Sequence, residues 1–582
     1  MNKYLATTGI SSIWDLDGKL FLLGPWCLAG KDNIKLLEAR SYEMIPSPFK
    51  PATKIKEAAD YCQVIYAELL PRVSDKLNVL HGASYPLRYW EVLLGYWLMH
   101  FIGIFYDRYR RLEHAFDLFP DVYTHALPYG QCSLASIDTY DTLLLNGKIN
   151  DDYYNLKLFS LIAHAIFPEN TAVIEYKENA VSRSKNETIK RKIFRFFLNS
   201  SDIFQPQVIF SGMSQLQPVD SMQLKWRTGI RKVGFKDFNA GNSESYDNFS
   251  PGAREKLTLE GGSDRFRELL YKVLPYAIPM CYVEDYDSYH GSVKNSRKVK
   301  AVGSAGDWYF NERFKFFAAE SAVNGAKLLD FQHGGGYGVS FSIPHEKLCL
   351  EKDAFFTWGW KDKEGRAKPL PVPYLSKVRD KHSCSLENLL FVSTSLPKYQ
   401  YRFEACMQPE DMFGYLGNMK SFFRSLRKEI VKETLFRPNI EGGWNVVPTI
   451  KEGHPDLTVV TGGRLVEWMK KAKLVVADHA HTSFLEALVI NVPSVFYWDH
   501  DVYLMRPEAE DYFELLRKAG ILHRSPESAA KKVNEIWHDS AGWWKQPGIQ
   551  DARNKFCQRF ALTSENWLNE WTKALETLLG GA

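Results

Sequence analysis

The stretch that most constrains the fold is Lys473 to Asp499, KLVVADHAHTSFLEALVINVPSVFYWD, which reads as strand, loop, helix, strand. Leu474, Val475 and Val476 make a short apolar run of strand length. Asp478 to His481 is a polar break, and Ser483 with Glu486 has capping-box spacing. Phe484, Leu485, Leu488 and Val489 recur at helical spacing, and Pro493 ends the helix before the apolar run Ser494 to Trp498. A polar loop between a parallel strand and a helix N-terminus lies at the carboxyl end of a sheet. Open α/β sheets bind ligands there, and free helical N–H groups favour phosphate. The chain reads as arranged to bring a nucleotide to this loop.

At 582 residues the chain exceeds one core, so two domains with insertions are expected. The formal net charge of +4 excludes an extended nucleic-acid footprint. Eight Cys without a CxxC pair fit a reducing compartment and argue against a zinc site. The N-terminus, MNKYLATTGISS, lacks the apolar run of a signal peptide, which points to the cytoplasm. Val92 to Tyr106 is the most membrane-like segment. It has 15 residues where a span needs about 20, so it reads as a buried helix. Its aromatic, Arg-flanked character leaves peripheral contact with the inner membrane face as the alternative. The many aromatic residues (16 Trp, 30 Tyr, 36 Phe) suit a large core, or stacking surfaces for sugars and bases.

Short strands alternate with helices in a βαβ rhythm that indicates an α/β fold with parallel sheets. Strands are expected near Tyr4 to Thr7, Leu20 to Leu23, Gln207 to Phe210, Ile278 to Val283, Lys298 to Gly303 and Leu328 to Phe331. Helices are expected through 51–116 and near 152–166, a basic helical face over 179–201, and an insertion loop over 235–262. Residues 362–385 carry Gly365, Pro369, Pro371 and Pro373. The expected division is an N-terminal Rossmann-like domain with helical insertions over 1–370, a linker over 371–385, and a C-terminal nucleotide-binding domain over 386–545. A final helical segment, 546–582, is expected to cross back to the N-terminal domain.

The run Gln332-His333-Gly334-Gly335-Gly336-Tyr337-Gly338 follows a strand directly. Consecutive glycines let backbone N–H groups approach a ligand, and His333 supplies a donor or proton carrier. His454-Pro455 precedes the Thr482-Ser483 pair by one helix and strand. Two hydroxyls at a helix N-terminus suit a phosphate, and a histidine across from them offsets its charge. Glu486 is either a capping residue or a ribose contact. Glu284, at an expected strand end, and Asp307, in the next loop, are candidates for a base or nucleophile. Arg313 and Lys315 could pair with an anionic sugar or phosphate, or be solvated helix charges. His345 and Glu346 are weaker candidates. Asp478, His479 and His481 lack metal-ligand spacing, so no metal is expected.

The series His-Pro, Thr-Ser-Phe-Leu-Glu-Ala-Leu and Pro-Ser-Val-Phe-Tyr resembles the nucleotide-binding half of GT-B glycosyltransferases. It is similar to capsule-type 3-deoxy-manno-octulosonic acid (Kdo) transferases, CDP-glycerol/ribitol phosphotransferases and bacterial sialyltransferases. KYLATTG, RYW…GYWL, YVE, NERFKFFAAE, QHGGGYG, FFTWGW and VSTSLPKY extend the resemblance over nearly the full length. They match a family of roughly 600-residue transferases encoded in O-antigen and other surface-polysaccharide loci. The resemblance implies two Rossmann-like domains facing a cleft, the first holding the acceptor and reacting carboxylate and the second the nucleotide. It implies that Gln332, Gly334, Gly335, His454, Pro455, Asp478, His481, Thr482, Ser483 and Glu486 bind the donor. His333 would face the sugar or its phosphate, with Glu284 as first and Asp307 as second choice of catalytic carboxylate. No cofactor or metal is implied. The partners implied are a nucleotide-sugar, favoured as CMP-activated Kdo or nonulosonic acid, and a lipid-linked or oligosaccharide acceptor. The sialyltransferase "D/E-D/E-G" base motif is absent, which leaves the stereochemistry open. The competing readings are a CDP-polyol phosphotransferase and a non-catalytic sugar-nucleotide-binding assembly protein.

Overall fold

Strands here are runs of two to five residues, many buried at every position, as parallel sheets covered on both faces require. The computed structural model describes residues 2–38, 40–143, 147–177, 205–229, 231–238, 248–439 and 442–580. The basic stretch expected to be helical over 179–201 lies outside the described residues, as does part of the loop expected over 235–262.

Three sheets form, one more than two Rossmann-like domains predict. The first contains β1 (Lys3–Ala6), β2 (Lys19–Leu22), β3 (Tyr42–Met44), β4 (Val122–Ala126) and β5 (Thr171–Val173), in the order β3-β2-β1-β4-β5 with parallel pairing. The second contains β6 (Val208–Ser211), β7 (Val233–Phe235), β8 (Ala301–Ser304), β9 (Lys327–Phe331), β10 (Ala354–Thr357) and β11 (Ala367–Pro369), in the order β11-β10-β9-β8-β6-β7. The third contains β12 (Leu389–Val392), β13 (Thr434–Arg437), β14 (Thr458–Val459), β15 (Leu474–Ala477), β16 (Ser494–Tyr497) and β17 (Leu522–His523), in the order β14-β13-β12-β15-β16-β17. In each sheet one strand is flanked by chain that leaves in opposite directions. That reversal falls between β1 and β4, β6 and β8, and β12 and β15, and ligands of such sheets sit at the carboxyl ends there.

The chain divides into two compact units that differ from the expected domains. One comprises residues 1–213, 229–329 and 397–403, and the other 214–228, 330–396 and 404–582, so the boundary falls inside β9. In the first unit the helices Thr53–Leu80 and Leu87–Leu118 pack together and against Glu312–Val323. The membrane-like segment lies in Leu87–Leu118 with nearly every side chain buried, as in a core helix. Two of its flanking arginines are internal. Asp107 receives Arg108 at 2.8 Å and Arg111 at 2.8 Å, and Arg108 also donates to Asn155. No helix among the described residues is long and apolar enough to cross a membrane.

In the second unit the expected linker is part of the core. Val372 and Leu375 are fully buried, and the Pro371 carbonyl accepts the Trp571 indole at 2.8 Å. The last helix, Trp567–Leu578, packs on Pro218–Thr228, which explains why that early segment belongs to this unit.

Candidate functional site

The loops leaving β12 and β15 meet at the reversal point of the third sheet. Val392 pairs with Ala477 in register, so Ser393-Thr394 and Asp478-His479 leave the sheet side by side. The Tyr415 hydroxyl fastens the first loop by accepting the Thr394 N–H at 2.9 Å, and Thr394 Oγ1 lies 3.4 Å from His481 Nδ1. His481 ends the loop as N-cap of the helix Thr482–Ile490, without a side-chain cap bond. The capping box expected from Ser483 and Glu486 therefore does not form, because the helix starts two residues too early for Ser483 to cap it. Ser483 Oγ instead lies 2.6 Å from His479 Nε2, while His479 Nδ1 lies 3.0 Å from Asp478 Oδ1. Burial raises the Asp478 carboxyl against the opposing pull of His479.

The glycine loop joins this site. Gly335 donates its N–H to Thr482 Oγ1 at 3.1 Å. A Cβ at Gly335 would stand 2.9 Å from Leu485 Cδ1 and 3.2 Å from Thr482 Cα, so a side chain there presses on the helix N-terminus. Gly334 is half-buried with Thr482 Oγ1 as its neighbour, and His333 is exposed, its Nδ1 3.3 Å from the Tyr337 hydroxyl. Tyr337 in turn contacts the buried His345 Nε2 at 2.9 Å. The weaker candidate Glu346 accepts the Gly338 N–H at 3.0 Å and pairs with Arg506 at 2.7 Å.

Three expected donor ligands sit elsewhere or are otherwise engaged. Gln332 is buried with its side chain spent inside the protein. It donates to Gly334 O at 2.7 Å and accepts from Trp358 N at 2.9 Å and Trp360 Nε1 at 2.8 Å. It shapes the loop rather than facing a ligand. His454 ends the helix Val446–Gly453, its ring tilted against that of Phe423 at 5.5 Å, with exposed Pro455 after it. A helix in a parallel βαβ unit runs back against its strands, so its C-terminus lies at the amino edge. The structure does not bring His454-Pro455 to Thr482-Ser483. Burial and the adjacent Arg424 lower the His454 pKa.

Glu486 faces inward, and burial raises its carboxyl to about 7, with Arg464 opposing. The unfolded chain releases this proton near 4.5 and the folded protein near 7, so stability falls as pH rises through that window. At pH 8 Glu486→Gln is expected to be more stable than the parent by about 3 kcal/mol, with the difference vanishing below pH 4.5. Urea midpoints measured across pH check this.

In the first unit, Asp307 lies at the reversal point of the second sheet, between the ends of β6 and β8. Its N–H donates to Ser304 Oγ at 2.8 Å and its carboxylate accepts the Ser211 hydroxyl. Gly212, with φ +55°, has no side chain because a Cβ would collide with that carboxylate. Burial and nearby Asp237 raise the Asp307 pKa, against hydrogen bonds from Ser211 and Asn311.

Glu284 is placed differently from the expectation. The run before it forms a 3-10 turn, Met280–Tyr282, rather than a strand. Both carboxylate oxygens are held by Arg254, Nε at 2.7 Å and NH2 at 2.8 Å, and the pair is buried. This fork is structural. Glu284→Gln leaves a buried guanidinium uncompensated, so a loss of about 3–5 kcal/mol in unfolding free energy is expected, with kcat of the folded fraction unchanged. Lys315 is likewise internal, paired with Glu312 at 2.8 Å and donating to Leu93 O and Thr139 Oγ1 at 3.1 Å, so it does not reach a ligand. Arg313, half-buried on the same helix, lies near Tyr289.

Ser211, Thr394 and Tyr415 carry no motif that marks them as site residues, and His479 stands in the sequence only within a set that lacks metal-ligand spacing. Small hydroxyl residues just after apolar runs, in VIFSG and LLFVSTS, were the available signal. Among the described residues, no group of three or more His, Cys, Asp or Glu is gathered as a metal ion would need.

No curated protein sequence matches the chain. Solved structures similar to it include a candidate UDP-N-acetylglucosamine 2-epimerase from Listeria monocytogenes, at 12% identity over 65% of this chain and 97% of that one, TM-score 0.37. Anabaena HepE in complex with UDP and glucose matches at 11% identity over 64% and 99%, TM-score 0.35. The UDP-forming α,α-trehalose-phosphate synthase of Burkholderia xenovorans matches at 11% identity over 63% and 99%, TM-score 0.31. A sequence profile of LIC12162 family transferases matches residues 3–575. The chain belongs to the LIC12162 family of transferases.

Proposed function

We propose that the protein is a GT-B-type glycosyltransferase that moves a sugar from a nucleotide-activated donor to a surface-polysaccharide acceptor. The observation that carries this reading is the Gly335 N–H on Thr482 Oγ1, which joins a glycine loop to a helix N-terminus at the carboxyl end of a parallel sheet. Backbone N–H groups, a helix dipole and hydroxyls in one place suit a diphosphate or phosphate without a metal. Gly334, Gly335, His481, Thr482 and Ser483 hold the donor in this reading, and Asp478 orders the loop. His333 faces the transferring sugar or its phosphate. Asp307 is the base that takes the proton from the acceptor hydroxyl as that oxygen bonds the anomeric carbon and the nucleotide leaves with the bonding electron pair.

The resemblance in sequence favours a CMP-activated Kdo or nonulosonic acid as donor and a lipid-linked or oligosaccharide acceptor. Incubation of the protein with CMP-Kdo, CMP-nonulosonates, and UDP- and GDP-sugars, followed by detection of released nucleotide and mass analysis of the acceptor, tests the proposal. A glycosidic product with free CMP supports it in full. A phosphodiester product from CDP-glycerol or CDP-ribitol would replace it with phosphotransfer.

A further inference from the structure

The Asp478–His479–Ser483 chain restricts what Ser483 can offer a ligand. His479 is buried, with Asp478 Oδ1 at 3.0 Å on Nδ1 and Ser483 Oγ at 2.6 Å on Nε2. An ionised Asp478 only accepts, so Nδ1 carries a proton. If the ring is neutral, Nε2 is an acceptor and the Ser483 hydroxyl donates to it. Ser483 then turns only lone pairs outward, which repel an anion. If the pair carries one more proton, Nε2–H donates to Ser483 Oγ and the serine proton is released for a phosphate oxygen. Either location of the extra proton, imidazolium or Asp478 carboxylic acid, gives the same outward donor, so the proton belongs to the pair.

A second feature marks this crevice as unfinished without a ligand. Ser393, beside Asp478 across the β12/β15 reversal point, has a buried hydroxyl with no hydrogen-bond partner among the described residues. So does Tyr503, whose ring lies 5.9 Å from that of His481. Buried hydroxyls without partners are uncommon in native proteins and are a cue for a missing water or ligand.

We propose that anion binding at this loop is coupled to uptake of one proton by the Asp478–His479 pair, making His479 a positioning residue that sets the direction of the Ser483 hydroxyl. The charged and titratable groups around the pair are few. His481 lies on the same loop, its ring 5.4 Å from that of His479. Tyr415 comes from the helix Met412–Ser425 and Tyr497 from β16, and Tyr503 follows; all three are buried phenols that stay neutral. Glu404 and Asp411 are the carboxylates that act on Tyr503.

The inference rests on the donor site proposed above. Calorimetric titration with CMP, CDP, UDP and GDP at pH 8, in buffers of different ionisation enthalpy, counts protons directly. At that pH the ligand phosphates are already fully ionised, so uptake is the protein's own. The parent is expected to take up close to one proton per nucleotide bound, with affinity falling up to tenfold per pH unit from pH 7 to 9. His479→Asn and His479→Gln are expected to bind with no uptake and a flat pH profile. Binding to the parent with no buffer-dependent heat overturns the inference and leaves the donor site standing, as does uptake unchanged in both variants. Failure of the folded parent to bind any of the four nucleotides overturns the donor site and the inference with it.

Discussion

Asp307→Asn is expected to lower kcat by about two to four orders of magnitude while leaving the fold and donor affinity in place. The substitution is nearly isosteric, so the Ser211 hydroxyl keeps an acceptor and the backbone bond to Ser304 is untouched. What disappears is the basic oxygen. Asp307 sits in a site whose burial holds its carboxyl above the ordinary aspartate range, which makes it a better proton acceptor than a solvated aspartate. The same shift fixes the pH dependence. As pH falls through the raised pKa the base is protonated and kcat/KM declines, so the acid limb of the parental profile should lie above the range of an exposed aspartate. Ser211→Ala removes a hydrogen bond that stabilises the ionised form and should move that limb further up. Parental turnover in a folded Asp307→Asn protein would remove Asp307 from the chemistry.

Gly335→Val is expected to abolish nucleotide binding and to destabilise the second unit by about 1–3 kcal/mol. The alanine carbon alone would press on Leu485 Cδ1 at 2.9 Å and on the Thr482 backbone at 3.2 Å and 3.3 Å, and valine adds two methyl groups there. The glycine loop must move off the helix, breaking the Gly335 to Thr482 bond and misplacing the N–H groups offered to phosphate. Gly334→Ala is the control, because the nearest atom to its Cβ is Thr482 Oγ1 at 3.8 Å. Thermal unfolding with and without nucleotide separates the two effects. A Gly335→Val protein that still gains stability from nucleotide as the parent does would place the ligand away from this loop.

The third sheet was the most legible part of the chain. Its central strands β12, β15 and β16 are four-residue, largely apolar runs, and the polar break at Asp478 to His481 stands out after β15. The glycine loop was equally visible, and the structure sets it against the helix that the same reading had singled out. Other features depended on packing that no local pattern encodes. IPMCYV has the composition of a strand, yet Met280 and Cys281 donate their N–H groups to Ser136 and Ile137 carbonyls and the chain turns instead. A short apolar run does not by itself distinguish the two. Glu284 and Lys315 looked reactive because buried ion pairs and catalytic groups use the same residue types, and only Arg254 and Glu312 tell them apart. His454 failed for a geometric reason, since order along the chain does not say which edge of the sheet a loop occupies. The capture of residues 214–228 by the last helix, and of 397–403 by the first unit, joins segments far apart in sequence.

The most direct test of nucleotide-dependent transfer is the thermal shift of the parent and of Gly335→Val with CMP, CDP, UDP and GDP. A nucleotide at about 100 times its Kd should add about 2.7 kcal/mol, or several degrees in Tm. The predicted result is a shift with at least one nucleotide in the parent and none in the variant, with CMP giving the largest. No shift with any of the four in a folded parent, or an equal shift in both proteins, would contradict a donor site at the β12/β15 reversal point.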